Sequence, residues 1–320
     1  MNWPRLSVVV PNYNHAAYLP RCLEALCVQS LQPFEIVVID DGSTDNSLEV
    51  LAACSRRFPI IRIVRNQQNL GCLPTVRKGL SLVRGDYVFL PSADDEVVPG
   101  LFEASMGLLA RFPQAGLCCT VSTWRIPERG LEWHMGTGFA AQRCYLSPDD
   151  VVGVGRRGRL PIPTSSVILK REAVERCGGY PDDLRWHVDW FVTAVIAFRH
   201  GMCYVPEPLS NVYLTPASYS RKGMNSDAQV EVLSRLLDRL NSPDCADVAP
   251  RIRDSAALNM FGLPAVRLLL SRPEYRHFFT PLLLLRASHR SLEVTGRRFL
   301  PAPFARLVVR LLYQHRSARS

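Results

Sequence analysis

Glu35-Ile36-Val37-Val38-Ile39-Asp40-Asp41-Gly42-Ser43-Thr44-Asp45 is the stretch that decides the fold. Phe34 to Ile39 is dominated by β-branched apolar residues, the pattern of a strand buried on both faces. The acidic turn after it feeds a helix carrying Leu48, Leu51 and Cys54. Ser43 and Asp45 suffice to cap that helix, which leaves Asp40 and Asp41 surplus to capping. The same unit recurs on both sides. Upstream, Leu6 to Val10 reads as a strand, and Asn14 is expected to cap a helix with apolar Tyr18, Leu19, Cys22, Leu23, Leu26 and Cys27 at the 3.6 period. Downstream come a strand from Ile60 to Val64, a helix from Pro74 to Val83 and a strand from Tyr87 to Leu90. This alternation implies an α/β fold, a Rossmann-like and mostly parallel sheet with helices on both faces.

The chain has 320 residues, 47% apolar and 21% charged, enough apolar material for a large core, which excludes collagen-like, coiled-coil and wholly disordered classes. No apolar run approaches the roughly 18 residues of a membrane span. The run that stops at Pro11-Asn12 is too short for a secretory signal, so a cytoplasmic protein is expected. Ten cysteines are scattered without a CxxC pair or a histidine at zinc spacing, and read as reduced core thiols.

Residues 101–220 are mixed. Leu117 to Ser122 and Ser166 to Lys170 read as strands, and Arg171 to Arg176 and Val188 to His200 as helices. Pro206, Pro208 and Pro216 are expected to mark irregular chain. Beyond 225 the pattern is helical, with Val230, Leu233, Leu236, Leu237 and Leu240 in one stripe and later prolines dividing the rest into short helices. Residues 221–320 hold 17 Lys and Arg against 8 Asp and Glu, so they carry the whole formal charge of +9 and leave the first 220 residues neutral. Three parts follow: 1–100, 101–220 and a basic helical extension, 221–320.

In an open parallel sheet, ligands bind beyond the carboxyl ends of the strands. Pro11-Asn12-Tyr13-Asn14 follows the first strand, Asp40-Asp41-Gly42-Ser43 the second and Ser92-Ala93-Asp94-Asp95-Glu96 the fourth. The loop after the third holds Asn66 and Asn69-Leu70-Gly71. Asp94 and Asp95 lack a basic neighbour in sequence and repel unless a proton or cation intervenes. A hard divalent ion with open positions for a diphosphate answers that need; a solvated helix start is the other reading of the same pair. Tyr13 is either a rim aromatic or a surface on which a nucleobase stacks.

The segments Ser7 to Asn14, Glu35 to Asp45 and Gly85-Asp86-Tyr87 to Asp94-Asp95 together resemble the family-2 glycosyltransferases of the GT-A fold. The resemblance continues through Pro163-Thr164-Ser165-Ser166-Val167, Gly178-Gly179-Tyr180 and Val205-Pro206-Glu207-Pro208-Leu209, covering about the first 215 residues. It implies that Pro11 and Tyr13 flank a uracil, that Asp41 accepts a hydrogen bond from the base, that Asp94 holds the ribose and that Asp95 binds Mn²⁺ or Mg²⁺ at the donor diphosphate. It also aligns Asp189 with the family's catalytic base; from its own surroundings Asp189 reads equally as a helix-start carboxylate. The chain departs from the pattern at Ser92, where many relatives carry a third Asp, and at Tyr213-Leu214-Thr215-Pro216, which lacks an Arg and a His. Arg77, Lys78, Arg221 or Lys222 could neutralise the diphosphate instead, Arg77 being the one assigned to the donor; exposed solubilising charge is the other and favoured reading of each.

Gly153-Val154-Gly155-Arg156-Arg157-Gly158 matches a dinucleotide-binding spacing, but no clear strand precedes it, and it is expected to be a flexible basic loop. Residues 302–316 put Phe304, Leu307, Val308, Leu311 and Leu312 on one helical face, a basic amphipathic helix that either lies on an anionic membrane surface or packs on the catalytic domain with its arginines in water. Nucleic acid is not expected, since no binding motif accompanies the arginines. The expected function is an inverting, metal-dependent transfer from a UDP-sugar donor to a glycan or lipid-linked acceptor in cell-surface polysaccharide synthesis, in the cytoplasm or peripherally at the inner face of the membrane. The alternatives are a catalytically silent nucleotide-sugar-binding protein with this fold, or a sugar nucleotidyltransferase.

Overall fold

The computed structural model describes residues 3–160, 162–214, 219–299 and 304. The first part is the expected alternation: β1 (Leu6–Asn12), α1 (Leu19–Cys27), β2 (Glu35–Asp40), α2 (Ser47–Arg57), β3 (Ile61–Arg65), α3 (Cys72–Leu82) and β4 (Tyr87–Phe89). Next come β5 (Glu96–Val97), α4 (Leu101–Arg111), β6 (Leu117–Ile126), β7 (Leu131–Met135), β8 (Cys144–Leu146), α5 (Pro148–Arg156), β9 (Ile168–Lys170), α6 (Arg171–Arg176), α7 (Val188–His200) and β10 (Met202–Tyr213). The remainder is helical: α8 (Tyr219–Met224), α9 (Gln229–Leu240), α10 (Ala249–Asp254), α11 (Gly262–Ser271) and α12 (Pro281–Phe299).

One sheet runs in the order β3-β2-β1-β4-β9-β6-β10-β5, with β7 paired to β6 and β8 to β10. The pairs β3–β2, β2–β1, β1–β4 and β6–β10 are parallel, and β9 enters antiparallel to both neighbours. Alternation along the strands fills both faces. Val8, Val10, Ile36 and Val38 pack with α1 and α4 through Leu19, Leu23 and Phe102. Val9, Val37 and Ile39 pack on the other face with Leu73 and Val76 of α3. The register ends with Asn12 beside Asp40, so the loops after β1 and β2 leave the sheet together. Val8 pairs with Phe89, which brings the loop after β4 to the same carboxyl edge.

Four expectations need correction. Asn14 does not cap α1: it has φ of 55°, and the helix starts after Tyr18 with Pro20 in its first turn. Pro206 and Pro208 lie inside β10, where the register with β6 shifts around Pro208; such irregularities are where a residue without an N–H is tolerated in a sheet. Gly153 and Gly155 lie within α5, which opens with a Ser147–Asp150 capping box and Pro148 in the first turn. A Cβ at Gly155 would come within 2.6 Å of Ser255, so that glycine serves helix packing and not a phosphate loop. Last, the prolines do not cut the whole remainder into short helices: α12 runs for 19 residues from Pro281 to Phe299. Leu233, Leu236, Leu237 and Leu240 of α9 share one core with Trp190, Phe191 and Val195 of α7, so this helical part packs on the sheet domain.

Residues 302–316 lie outside the described residues apart from Phe304. Among the described residues, no helix is long and apolar enough to cross a membrane. All ten cysteines are free thiols, and Cys72 alone is exposed.

The seat of α3 on the sheet gives a test of sign. In a helix, Gly→Ala ordinarily stabilises by about 0.8–1.0 kcal/mol. A Cβ at Gly79, however, would sit 2.2 Å from Cγ1 of Val9. Gly79→Ala is therefore expected to destabilise, by about 1–3 kcal/mol of overpacking, read as a lower urea midpoint. A raised midpoint would refute the close approach of α3 to β1.

Candidate active site

Two loops at the carboxyl edge are stitched together by their own polar groups. Asn12, buried at the end of β1, donates from Nδ2 to Asp40 Oδ1 at 3.0 Å and to Ser43 Oγ at 3.2 Å. The Ser43 N–H returns to Asp40 Oδ2 at 3.2 Å. Asn14 Oδ1 accepts from the Thr44 N–H at 2.8 Å, and Ser43 Oγ accepts from the Asn14 N–H at 3.0 Å. Asp40 is thus consumed in bracing the turn. Tyr13 stays on the outside with a 40% exposed side chain, and Pro11 is half-buried beside it.

Asp41 faces the other way along the edge. Its Oδ1 accepts from Asn66 Nδ2 at 2.7 Å and the Leu70 N–H at 2.9 Å, and its Oδ2 from the Gly71 N–H at 2.9 Å. One carboxylate thereby fastens the whole β3–α3 loop. Asn66 had been noticed only as an amide in that loop; its role as anchor requires the register of β2 with β3, which sets Asp40 beside Arg65.

Asp94 and Asp95 follow β4. Burial, then the Asp94 charge, pushes the Asp95 carboxyl up to about 8, while the Tyr213 N–H, 3.3 Å from Oδ1, and Arg21 pull the other way. Arg21, from α1, donates to the Asp94 carbonyl at 3.1 Å, lies 4.3 Å over the Tyr213 ring and approaches Glu96 at 4.0 Å. Glu96 also accepts from the Tyr213 hydroxyl at 3.3 Å, so it is taken up in this contact. Neither Arg21 nor Tyr213 was foreseen as a neighbour of the acid pair. Among the described residues, no three His, Cys, Asp or Glu side chains are gathered as a ready metal cage. Two adjacent carboxyl groups, one of them desolvated, fit a hard cation that arrives with oxygen ligands of its own.

Asp189 occupies the first turn of α7. Its side chain opens to solvent, yet protein surrounds it on the remaining sides, and that burial pushes its carboxyl up to about 6. Cys72, at the start of α3, links it to the donor edge. Its thiol is pushed up to about 12 by burial, then by Asp189, then by Asp41. Both carboxylates therefore act on one thiol, so the loop after β2 and the start of α7 lie near each other on either side of Cys72. Tyr180 and Tyr219 also feel the Asp189 charge.

The Arg77 guanidinium makes two bonds to Asp182, at 2.5 and 2.7 Å, and a third to the Tyr180 carbonyl at 3.0 Å. The ion pair is exposed on both sides. Lys78 is likewise bonded to Asn66 Oδ1. Lys222 is exposed.

Residues 7–160 match the model of glycosyl transferase family 2. A glycosyltransferase of Nostoc sp. strain PCC 7120 is 35% identical over 246 residues, covering 73% of this chain and 74% of that one. The chain belongs to glycosyl transferase family 2. Two solved structures share the fold of this family-2 glycosyltransferase. TarS residues 1–349 of S. aureus, in complex with UDP-GlcNAc, superimposes with a TM-score of 0.64 at 16% identity, over 98% of this chain and 90% of that one. The mannosyltransferase PcManGT of Pyrobaculum calidifontis, in complex with GDP-Man and Mn²⁺, does so with a TM-score of 0.54 at 20% identity, over 91% and 88%. The GT-A architecture inferred from the strand-end motifs is thus the architecture of this chain.

Because Arg77 is already paired, Arg77→Ala in the family-2 enzyme is expected to leave UDP affinity within about twofold, a surface-pair effect. Titration calorimetry checks this; a tenfold loss would place Arg77 at the diphosphate.

Proposed function

We propose that this family-2 glycosyltransferase moves a sugar from a UDP-sugar to a hydroxyl of a glycan or lipid-linked acceptor, with inversion at the anomeric carbon. Asp189 carries the reading. It opens to solvent, it has no cationic partner among the described residues, and burial raises its carboxyl to about 6. A base in that range is ionised at neutral pH and basic enough to take a proton from an attacking hydroxyl.

In this reading Pro11 and Tyr13 flank the uracil, with the exposed Tyr13 ring available for stacking. The Asp41 carboxylate, held by Asn66, Leu70 and Gly71, offers its remaining lone pairs to the base. Asp94 holds the ribose. Asp95, with Asp94 beside it, would hold Mn²⁺ or Mg²⁺, which supplies a Lewis acid for the charge on the departing diphosphate. With two carboxyl groups and no third such ligand among the described residues, the protein half of that site depends on the donor to complete it. One neighbour of this fold is seen with GDP-Man and Mn²⁺ together, which supports a shared site. Peripheral attachment at the inner face of the cytoplasmic membrane, in cell-surface polysaccharide synthesis, is the setting we propose. The basic C-terminal third and the exposed Leu284, Leu285 and Leu292 of α12 support it.

The test is a screen of UDP-sugars scored by UDP release, with lipid-extract acceptors and with Mn²⁺, Mg²⁺ or chelator. Asp189→Asn is expected to remove turnover by a factor on the order of 10²–10⁴ while UDP still binds. The protonated carboxyl cannot act as a base, so kcat/KM should fall as pH drops through about 6 and level off above it. An acid limb near pH 4, or turnover surviving Asp189→Asn, would sink the assignment. Calorimetry should find Mn²⁺ binding weak alone and strengthened by UDP, with Asp95→Ala abolishing the enhancement; tight binding of Mn²⁺ without nucleotide would contradict the two-carboxylate site.

A further inference from the structure

The segment that delivers Asp189 is held from the C-terminal third. Residues Asp182–His187 form a short 3-10 stretch, broken at Arg185, whose φ of 42° and ψ of −121° are non-helical for a non-glycine residue. Such a conformation persists only where the surroundings over-determine it. On one side of Arg185, Asp183 receives two hydrogen bonds from Arg239, at 2.9 and 2.7 Å. On the other side, Trp186 Nε1 donates to Gln229 Oε1 at 2.7 Å, and Gln229 Nε2 lies 2.9 Å from His187 Nε2.

An indole N–H only donates, so Trp186 takes one lone pair of the Gln229 oxygen. His187 Nε2 lies 2.9 Å from the Gln229 amide nitrogen and 3.1 Å from its oxygen, so the amide holds the imidazole in either tautomer. The imidazole is buried edge-on against Phe261, with ring centroids 4.7 Å apart, and Phe261 meets Trp190 in the same way at 4.9 Å. Burial also pushes His187 down to about 4, in keeping with a neutral ring. Gln229 and Arg239 are ten residues apart on α9, about 15 Å of one helix. A single rod therefore grips both flanks of the strained residue, and Asp189 follows two residues after His187.

We infer that Gln229 is a positioning residue for sugar transfer, tying Trp186 and His187 to α9 and with them the entry of α7 that carries Asp189. This rests on the reading of Asp189 as the base. It gives part of the chain beyond the family match at 7–160 a role at the reacting centre.

The experiment uses the full chain and the UDP-sugar that the donor screen selects. Gln229→Ala should lower kcat for UDP release on the order of ten- to a hundredfold, the cost of a slight misplacement of a reacting group, with UDP affinity within twofold by calorimetry. Gln229→Glu keeps the acceptor for Trp186 and should recover part of that loss. Native kcat in Gln229→Ala would overturn the inference, and so would UDP affinity falling in step with kcat. If Gln229→Ala shows no folded melting transition, Gln229→Glu decides: kcat lowered with UDP affinity unchanged supports the role, and native kcat, or UDP affinity falling in step with kcat, counts against it. Asp189→Asn measured alongside separates the two failures. Surviving turnover there removes the base itself, whereas a dead Asp189→Asn beside a fully active Gln229→Ala removes only the positioning role.

Discussion

The Asp41 carboxylate holds the carboxyl edge of the sheet and the β3–α3 loop together. It is almost fully buried and accepts three hydrogen bonds, from one amide side chain and two backbone N–H groups. Hydrogen bonds to a charged group contribute about 1.5–3 kcal/mol each, and a buried carboxylate left without them is strongly unfavourable. The loop from Asn66 to Gly71, and hence the start of α3, cannot move away while that charge is present. Asp40 does the corresponding work for the first two loops through Asn12 and Ser43. The rim is therefore rigid because its acids are used structurally as well as chemically.

Against this braced rim stand two carboxyl groups in the opposite condition. Asp95 and Asp189 are both raised by burial, one beside a second acid and the other without a charged partner among the described residues. Carboxylates stabilised by donors build the frame, and carboxylates short of donors are the ones left to meet a cation or a proton. This division sets four acids of one residue type, at one sheet edge and the adjoining helix start, in different surroundings. With Glu96 drawn to Arg21 and Tyr213, no third carboxylate among the described residues stands in for an acid at Ser92.

Much of this was legible in the order of residues. The strands and helices of the first hundred positions, and α6 and α7 to the residue, follow from apolar periodicity and turn chemistry. The failures have physical causes. Pro206 and Pro208 read as strand breakers, but a shift in register lets β10 continue past them. Gly153 and Gly155 read as a loop, but they lie within α5, and the small size of Gly155 is needed where that helix meets Ser255. Each miss involves a partner remote in the chain, which local pattern cannot supply.

The amino-acid order alone determined the parallel α/β core, because period-2 and period-3.6 burial are local properties of a strand and a helix. It also determined which loops would end at the carboxyl edge, because strand direction fixes the side on which each loop emerges. Only the tertiary structure decided which acids brace and which remain available, since that depends on donors brought from β3, α3 and β10. It alone decided that the helical third of the chain belongs to the catalytic body. The stripe of α9 could have covered any apolar surface, and only packing against α7 sets Gln229 beside His187 and Arg239 beside Asp183.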